Sequence, residues 1–145
     1  MPLVDAITST GTTLYTQCKE EVAFVGAYIS SARTMAICSE DPSGLPTAFT
    51  PQEQDTLRHE AIHLAQDCMD RKFNSELETT RTLINVMRMM AASGEVIDFE
   101  KIELHYRGKG ADDVTIMLEF EAWAGAAVMS NKEVAHLVRT ICRTY

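Results

Sequence analysis

The strongest structural signal in the chain is a helix start at Thr50-Pro51-Gln52-Glu53. A threonine at the N-cap, a proline at the first helical position and a glutamate three residues after the cap suit the free N–H groups of a first turn. The pattern predicts a helix from residue 51 to about 72. This helix carries His59 and His63, and residues four apart lie on the same face of a helix.

The histidine pair has the spacing of a metal-binding motif, His59-Glu60-Ala61-Ile62-His63. Two imidazoles one helical turn apart can bind one ion, and the glutamate that follows the first histidine can accept a proton from water on that ion. The motif identifies His59 and His63 as candidate metal ligands and Glu60 as a candidate catalytic base. On a helical wheel the histidines lie off the apolar stripe, so the competing interpretation is an ordinary histidine pair on a solvated face.

A catalytic site of this kind needs a third protein ligand besides the two histidines. A helix predicted over about 112–129 offers Glu119 and Glu121 within a segment that is apolar nearly all round. A carboxylate in such a helix costs free energy unless it is paired or bound to a metal. The two glutamates point about 200° apart, so only one can face the site. Small neighbours favour Glu119, and the competing interpretation pairs one glutamate with an arginine and places the other in solvent.

Two segments of the chain together resemble a known metallopeptidase pattern. They are Leu57-Arg-His-Glu-Ala-Ile-His-Leu-Ala-Gln-Asp67 and, further on, Glu119-Phe-Glu-Ala-Trp-Ala124. The pair looks like the HExxH…E pattern of gluzincin-type metallopeptidases and is most similar to small uncharacterised metallopeptidases, many of them phage-encoded. The resemblance covers residues 34–127.

The resemblance implies a mainly helical, zincin-like fold, Zn²⁺ as cofactor and a peptide or protein as substrate. It also implies that Glu119, the first glutamate of the E-x-E-A element, is the third zinc ligand. Zincins place an edge strand before the HExxH helix, where a peptide pairs as an added strand, and residues 34–38 would fill that role.

The sequence departs from the gluzincin pattern at Trp123, where an aspartate often holds a zinc-bound histidine in orientation. Another acceptor would then serve, and the sequence offers Asp67, Asp70 or a backbone carbonyl. Tyr106, beside His105, is a candidate catalytic donor to the oxyanion that forms when a peptide carbonyl is attacked. The competing interpretation is an exposed pair at the end of a segment.

The rest of the chain predicts a single domain, residues 1–145, of about five helices with at most one or two short strands before the HExxH helix. Helical periodicity or capping residues mark further helices over 12–32, from Ser75 to Ser93 and over 132–143 after an Asn131 cap. A short strand over 34–38 precedes a loop over 39–46. The segment 98–106 fits either a short helix or an extended piece.

Composition narrows the classes of partner. The net charge of −8 argues against binding a nucleic-acid backbone, and no apolar run is long enough to suggest a membrane span. The N-terminus lacks the basic and apolar regions of a signal peptide. The widely spaced Cys18, Cys38, Cys68 and Cys142 fit reduced, buried thiols. These features predict a cytoplasmic protein, or one inside a phage-infected cell or a virion.

Three functional hypotheses follow from the sequence. The first is a zinc-dependent peptidase, which at this length would be minimal or would act within an assembly or homo-oligomer. The second is a non-catalytic helical structural or interaction protein, of a virion type, that retains a zincin scaffold. The third is a helical binding module in which the motif is accidental.

Overall fold

The structure is a computed structural model that describes residues 1–18, 26–69, 77–95 and 97–143. The fold is mainly helical, as the sequence predicts, but the described residues form six helices and a sheet of three strands instead of about five helices and at most one or two strands. The helices in these ranges are α1 (Pro2–Ser9), α2 (Pro51–Cys68), α3 (Leu83–Ser93), α4 (Phe99–Gly108), α5 (Asp113–Val128) and α6 (Asn131–Cys142). The strands are β1 (Thr13–Tyr15), β2 (Gly26–Ile29) and β3 (Thr34–Ile37), and a 3₁₀ turn spans Pro46–Ala48.

Helix α2 is the central element, and its predicted capping box is confirmed. The Thr50 side chain accepts a hydrogen bond from the Glu53 N–H, and the Glu53 carboxylate accepts one from the Thr50 N–H. Glu53 is buried, and its carboxylate also accepts the Glu40 N–H at 2.7 Å. This bond connects the preceding loop to the helix. The capping box therefore fixes both the start of α2 and the path of the chain that enters it.

The second half of α2 is buried on every side. From His59 to Cys68 each residue is buried, including both histidines, Glu60, Gln66 and Asp67. The interpretation of a histidine pair on a solvated face is therefore wrong. A wheel separates apolar from polar residues, but it does not reveal that the polar face is also covered by other elements.

Helices α2 and α5 cross in close contact at Gly125. A Cβ atom at this position would overlap the Cδ1 of Ile62, a fully buried residue on α2. Near the same crossing, Arg58 of α2 donates to the Ala126 carbonyl of α5 at 2.9 Å and to the Asn131 side chain at 2.8 Å. The small residue and the arginine together set how far apart the two helices lie.

The small sheet has the strand order β1-β3-β2, with β1 parallel and β2 antiparallel to β3. The predicted strand over 34–38 is confirmed as β3, but its expected place at the edge is wrong, because β3 lies between the other two. The edge strand that faces α2 is β2. Gly26 permits this approach, since a Cβ there would lie 2.5 Å from the Thr56 Cγ2 of α2.

The helix predicted over 12–32 is wrong. Its first part forms β1 and its last part forms β2, while residues 19–25 lie outside the described residues. The segment is rich in threonine, valine and aromatic residues, which suit strands, and pairing with β3 decides between two patterns that the sequence alone allows. Helix α1 was not expected, because its buried face consists of only three residues, Leu3, Ala6 and Ile7.

Three helix boundaries differ from expectation or were left open. Helix α3 begins at Leu83 under a Thr82 cap, while residues 77–82 are not helical and the expected Ser75 cap lies outside the described residues. Helix α6 is capped by Ser130 rather than by Asn131, whose side chain instead contacts Arg58. The undecided segment 98–106 is helical and forms most of α4.

The expectation of reduced thiols is wrong, because the structure contains two disulfides. Cys18 bonds to Cys38, which joins the chain after β1 to the chain after β3, and Cys68 bonds to Cys142, which joins the ends of α2 and α6. Sequence spacing hides both pairs, since their members are 20 and 74 residues apart. Disulfides are typical of oxidising compartments, so they weigh against the cytoplasmic location, which stays a prediction.

No helix in the described ranges has both the length and the apolar character of a membrane span.

We expect Gly125→Ala to lower the free energy of unfolding by about 1 kcal/mol or more, because the added methyl group overpacks the contact with Ile62. Gly108→Ala is the matched control, since a Cβ at that position meets nothing within 4 Å. Urea unfolding of both variants measures the difference. A Gly125 variant as stable as the Gly108 variant would show that the helix contact yields without cost.

Candidate metal centre

His59, His63 and Glu119 form one compact group at the crossing of α2 and α5. The Nε2 atoms of the histidines are 3.2 Å apart. The His59 Nε2 lies 3.2 Å from Glu119 Oε2, and the His63 Nε2 lies 2.9 Å from Glu119 Oε1. Both histidines are buried and Glu119 is largely buried, so the structure brings the three predicted ligands together and could hold a metal ion with them.

The spacing of the three ligand atoms fits a small metal ion in tetrahedral coordination. Nitrogen and oxygen ligands at about 2.0–2.2 Å from such an ion would lie about 3.3–3.6 Å from one another. The observed separations of 2.9 to 3.2 Å are a few tenths of an ångström shorter. Three protein ligands would leave one position of a four-coordinate ion for a water or a substrate atom.

Gln66 holds His63 in orientation. The His63 Nδ1 lies 2.8 Å from Gln66 Oε1, and the Gln66 amide donates to the Leu118 carbonyl and to Glu121 Oε1, each at 3.0 Å. Since the Gln66 oxygen accepts, His63 carries its Nδ1 proton and turns Nε2 toward the site. Asp67 was expected as an acceptor and does not serve His63, while Asp70 lies outside the described residues.

Glu121 points away from the metal group and organises the chain before α3. Its carboxylate accepts the Thr80 N–H at 2.8 Å and the Thr80 hydroxyl at 2.7 Å, and it lies 3.7 Å from the Arg81 Nη1. The structure thus separates the two candidate glutamates as the wheel predicts. Glu121 has an arginine partner, as the competing interpretation held, but Glu119 faces the histidines and not solvent.

His59 is oriented by packing. Its ring lies edge-on to the Trp123 ring, with centroids 4.7 Å apart and planes at 68°. Its Nδ1 is buried and has no hydrogen-bond partner among the described residues. Trp123, the residue at the place of the expected aspartate, therefore contacts a candidate ligand directly.

Glu60 lies between the histidines and strand β2. It is buried, and its carboxylate accepts a backbone hydrogen bond from Tyr28. Burial raises the pKa of Glu60 above its usual value, while the nearby histidines act in the opposite direction. A carboxylate with a raised pKa holds a proton more readily near neutral pH, which suits a group that accepts and returns one.

Asp67 of α2 accepts hydrogen bonds from strand β2 and the residue after it. Its Oδ2 accepts the Tyr28 hydroxyl at 2.5 Å and the Ser30 hydroxyl at 2.6 Å. Burial and the bond with Asp67 raise the pKa of Tyr28 well above its usual range, so this tyrosine stays a neutral donor. Helix α2 therefore binds β2 at both Glu60 and Asp67, which holds the strand beside the candidate centre.

Tyr106 reaches the same site from α4. Its hydroxyl oxygen accepts the Trp123 Nε1–H at 3.2 Å. Burial and a hydrogen bond with the Glu119 carboxylate raise the pKa of Tyr106 well above its usual range. Its neighbour His105 is exposed and makes an edge-on ring contact with Tyr106, and His136 is exposed on α6. The structure thus brings Tyr106, but neither of these histidines, into the group.

Proton binding at the group is dominated by His63 and Glu119. Burial alone would lower the pKa of His63, but its bonds and charge interactions with Glu119, together with the charge of Glu60, raise it to about 9. Burial would raise the pKa of Glu119, and the two histidines outweigh it and hold that pKa well below its usual range. Near neutral pH the group thus holds a proton on His63 where a metal ion would bind.

Two cavities lie on opposite sides of the candidate ligands. One, of about 400 Å³, is lined by His63, Glu119 and residues 28–31 together with Leu77, Thr115 and Leu118. The other, of about 290 Å³, is lined by His59, Glu60, Tyr106 and Trp123 together with Gly26, Gln52, Asp55 and Thr56. Strand β2 lines both, with Tyr28 and Ile29 in the larger cavity and Gly26 in the smaller one.

We expect the affinity for Zn²⁺ to rise about tenfold per pH unit between pH 6 and 8, because binding must displace the proton on His63, whose pKa is about 9. Trp123 is the only tryptophan in the chain and touches His59, so its fluorescence can follow the titration in chelator-buffered Zn²⁺. An affinity that is unchanged across this range would contradict a bound proton at the site.

Comparison with known proteins finds no relative of this chain. No protein-family model, curated protein or solved structure matches the chain. What the group of His59, His63 and Glu119 does is therefore inferred from its own arrangement.

Proposed function

We propose that the protein is a zinc-dependent metallopeptidase in which His59, His63 and Glu119 bind the metal. The observation that carries the proposal is the convergence of the three ligand atoms within 2.9 to 3.2 Å of one another, next to a buried glutamate that is not itself a ligand. Two neutral imidazoles and a carboxylate form a donor set that zinc prefers in catalytic sites. A purely structural zinc site usually has four protein ligands, and this group offers three.

Zinc bound there would act as a Lewis acid toward a carbonyl oxygen and would allow water to act as a nucleophile near neutral pH. Glu60 accepts a proton from the attacking water while the water oxygen bonds to the peptide carbonyl carbon. The same carboxyl group then gives the proton to the amide nitrogen as the C–N bond breaks, which yields a carboxylic acid, with the second hydrogen of the water, and an amine. Its burial and its bond from Tyr28 hold Glu60 in place for both transfers.

Tyr106 is the proposed donor to the carbonyl oxygen as negative charge develops on it. The hydroxyl is directed into the group by its bonds with Trp123 and Glu119, and it stays protonated because its pKa is raised. A neutral donor that is already aimed at the developing charge stabilises the transition state without reorganisation.

Strand β2 is the proposed docking edge for the substrate backbone. It is an edge strand of the sheet, and its residues line the cavities on both sides of the ligands. An extended peptide that pairs with it would gain main-chain hydrogen bonds and would pass the metal group. This assigns to β2 the role that the resemblance to zincins implies for residues 34–38.

We expect the purified wild-type protein to carry about one zinc ion per chain and His59→Ala to lose it, because two remaining ligands hold zinc weakly. His136→Ala is the matched control, since that histidine is exposed on α6 and outside the group. Elemental analysis of the three proteins measures the metal. Equal zinc in His59→Ala and His136→Ala would place the metal elsewhere and overturn the assignment.

We expect Glu60→Gln to keep its zinc and to cleave a peptide library at least about 100-fold more slowly than wild type, because the amide cannot accept the proton. Glu100→Gln, on the exposed first turn of α4, should cleave as wild type does. Mass spectrometry of the library after digestion gives the rates. If wild type and Glu60→Gln both hold zinc and neither cleaves, the enzyme proposal fails and a non-catalytic protein with a metal site takes its place.

A further inference from the structure

The two candidate histidine ligands are oriented by different means. His63 is held by a hydrogen bond from its Nδ1 to Gln66, the usual arrangement for a metal-binding histidine. His59 has no such bond from its Nδ1 among the described residues. Its ring contacts the His63 ring within the ligand group and, outside that group, the indole of Trp123, at centroid distances of 4.9 and 4.7 Å. On the side of the ring away from the candidate metal position, the orientation of His59 therefore depends on contact with Trp123 and not on a polar partner.

Trp123 has a second contact of a different kind. Its Nε1–H donates to the Tyr106 oxygen at 3.2 Å, and an indole can only donate. Because one lone pair of the Tyr106 oxygen is thereby occupied, the hydroxyl proton turns away from Trp123. The hydroxyl donates to the Glu119 carboxylate. The indole therefore sets the direction in which Tyr106 donates.

Its position in the chain explains both contacts. Trp123 follows Glu119 by four residues on α5, so the two side chains lie on the same face, one turn apart. The side chain is 40% exposed, so burial in the core does not account for it. It also forms part of the wall between the cavity at His59 and a cavity of about 540 Å³ beside α4, since it lines both.

We propose that Trp123 is a positioning residue that orients the metal ligand His59 by ring contact and the donor Tyr106 by its N–H group. This inference deepens the proposed function and rests on it for the Tyr106 half, whereas the His59 half concerns metal binding alone. The Trp123 side chain thus orients one residue that would bind the metal and one that would donate to the substrate oxygen.

Two substitutions separate the two contacts. Trp123→Phe keeps an aromatic ring near His59 and removes the N–H donor, while Trp123→Leu removes both. We expect Trp123→Phe to bind Zn²⁺ within about twofold of wild type, and Trp123→Leu to bind it about tenfold or more weakly, as for loss of an orienting partner. Chelator competition gives these affinities, and the visible spectrum of the Co²⁺-loaded proteins should change only in Trp123→Leu. Equal Zn²⁺ affinity in all three proteins would overturn the His59 half, whether or not any peptide is cleaved.

Measurements of kcat and KM test whether Trp123 orients the Tyr106 hydroxyl. We expect Trp123→Phe and Tyr106→Phe each to lower kcat about tenfold with little change in KM, because a donor to the transition state is affected in both. The variant that combines Trp123→Phe with Tyr106→Phe should be no slower than Tyr106→Phe alone. Once the Tyr106 hydroxyl is removed, the Trp123 N–H has no donor left to orient. Tyr15→Phe, an exposed tyrosine on β1, is the control. Additive losses, or a loss only in KM, would overturn the Tyr106 half, whereas a wild type that cleaves nothing would overturn the proposed function and, with it, this half.

Discussion

The buried amide of Gln66 is the interaction on which the candidate centre depends. It binds three groups on two helices at once: His63 on its own helix, and the Leu118 carbonyl and the Glu121 carboxylate on α5. Because Glu121 in turn binds Thr80, the chain before α3 is tied to the same point. The amide is fully buried, so every one of its bonds is made without competition from water. A change at Gln66 would therefore disturb a ligand, a helix crossing and a connecting segment together.

The cost of burying so many polar groups explains the tight packing around them. Glu53, Glu60, Asp67 and Glu121 are all buried, and each accepts hydrogen bonds from backbone or hydroxyl groups or from Gln66. Only Asp67 Oδ1 has no partner of this kind among the described residues. A buried carboxylate without such bonds destabilises the folded state. These groups fix the position of β2, α2 and α5 relative to one another to within hydrogen-bond distances. The precision that a catalytic arrangement needs is thus supplied by the groups that surround the ligands.

The sequence predicts that His59, His63 and Glu119 come together, as they do in the structure, because each signal is local. The HExxH spacing requires only a helix, and Glu119 stands out as a carboxylate in an apolar segment. Gln66 was missed, although a polar residue three positions after His63 among buried neighbours was a usable signal. The helical pattern over residues 12–32 is wrong for β1 and β2. Whether a short segment forms a strand depends on the strand with which it pairs in the fold more than on its own sequence. The disulfides were missed for the same reason, as only the fold brings Cys68 beside Cys142.

The disulfide between Cys68 and Cys142 would hold the molecule together after one break in its backbone. The bond between Cys68 and Cys142 closes a covalent ring that contains α3, α4, α5 and α6. If the backbone is broken between α3 and α4, His59 and His63 lie in one fragment and Glu119 in the other, yet the two fragments remain a single covalent molecule. Such a nicked protein would migrate as an intact chain in electrophoresis until a thiol reductant is added. If the proposed peptidase activity extends to its own chain, this ring would keep the candidate ligands in one molecule after such a self-cleavage.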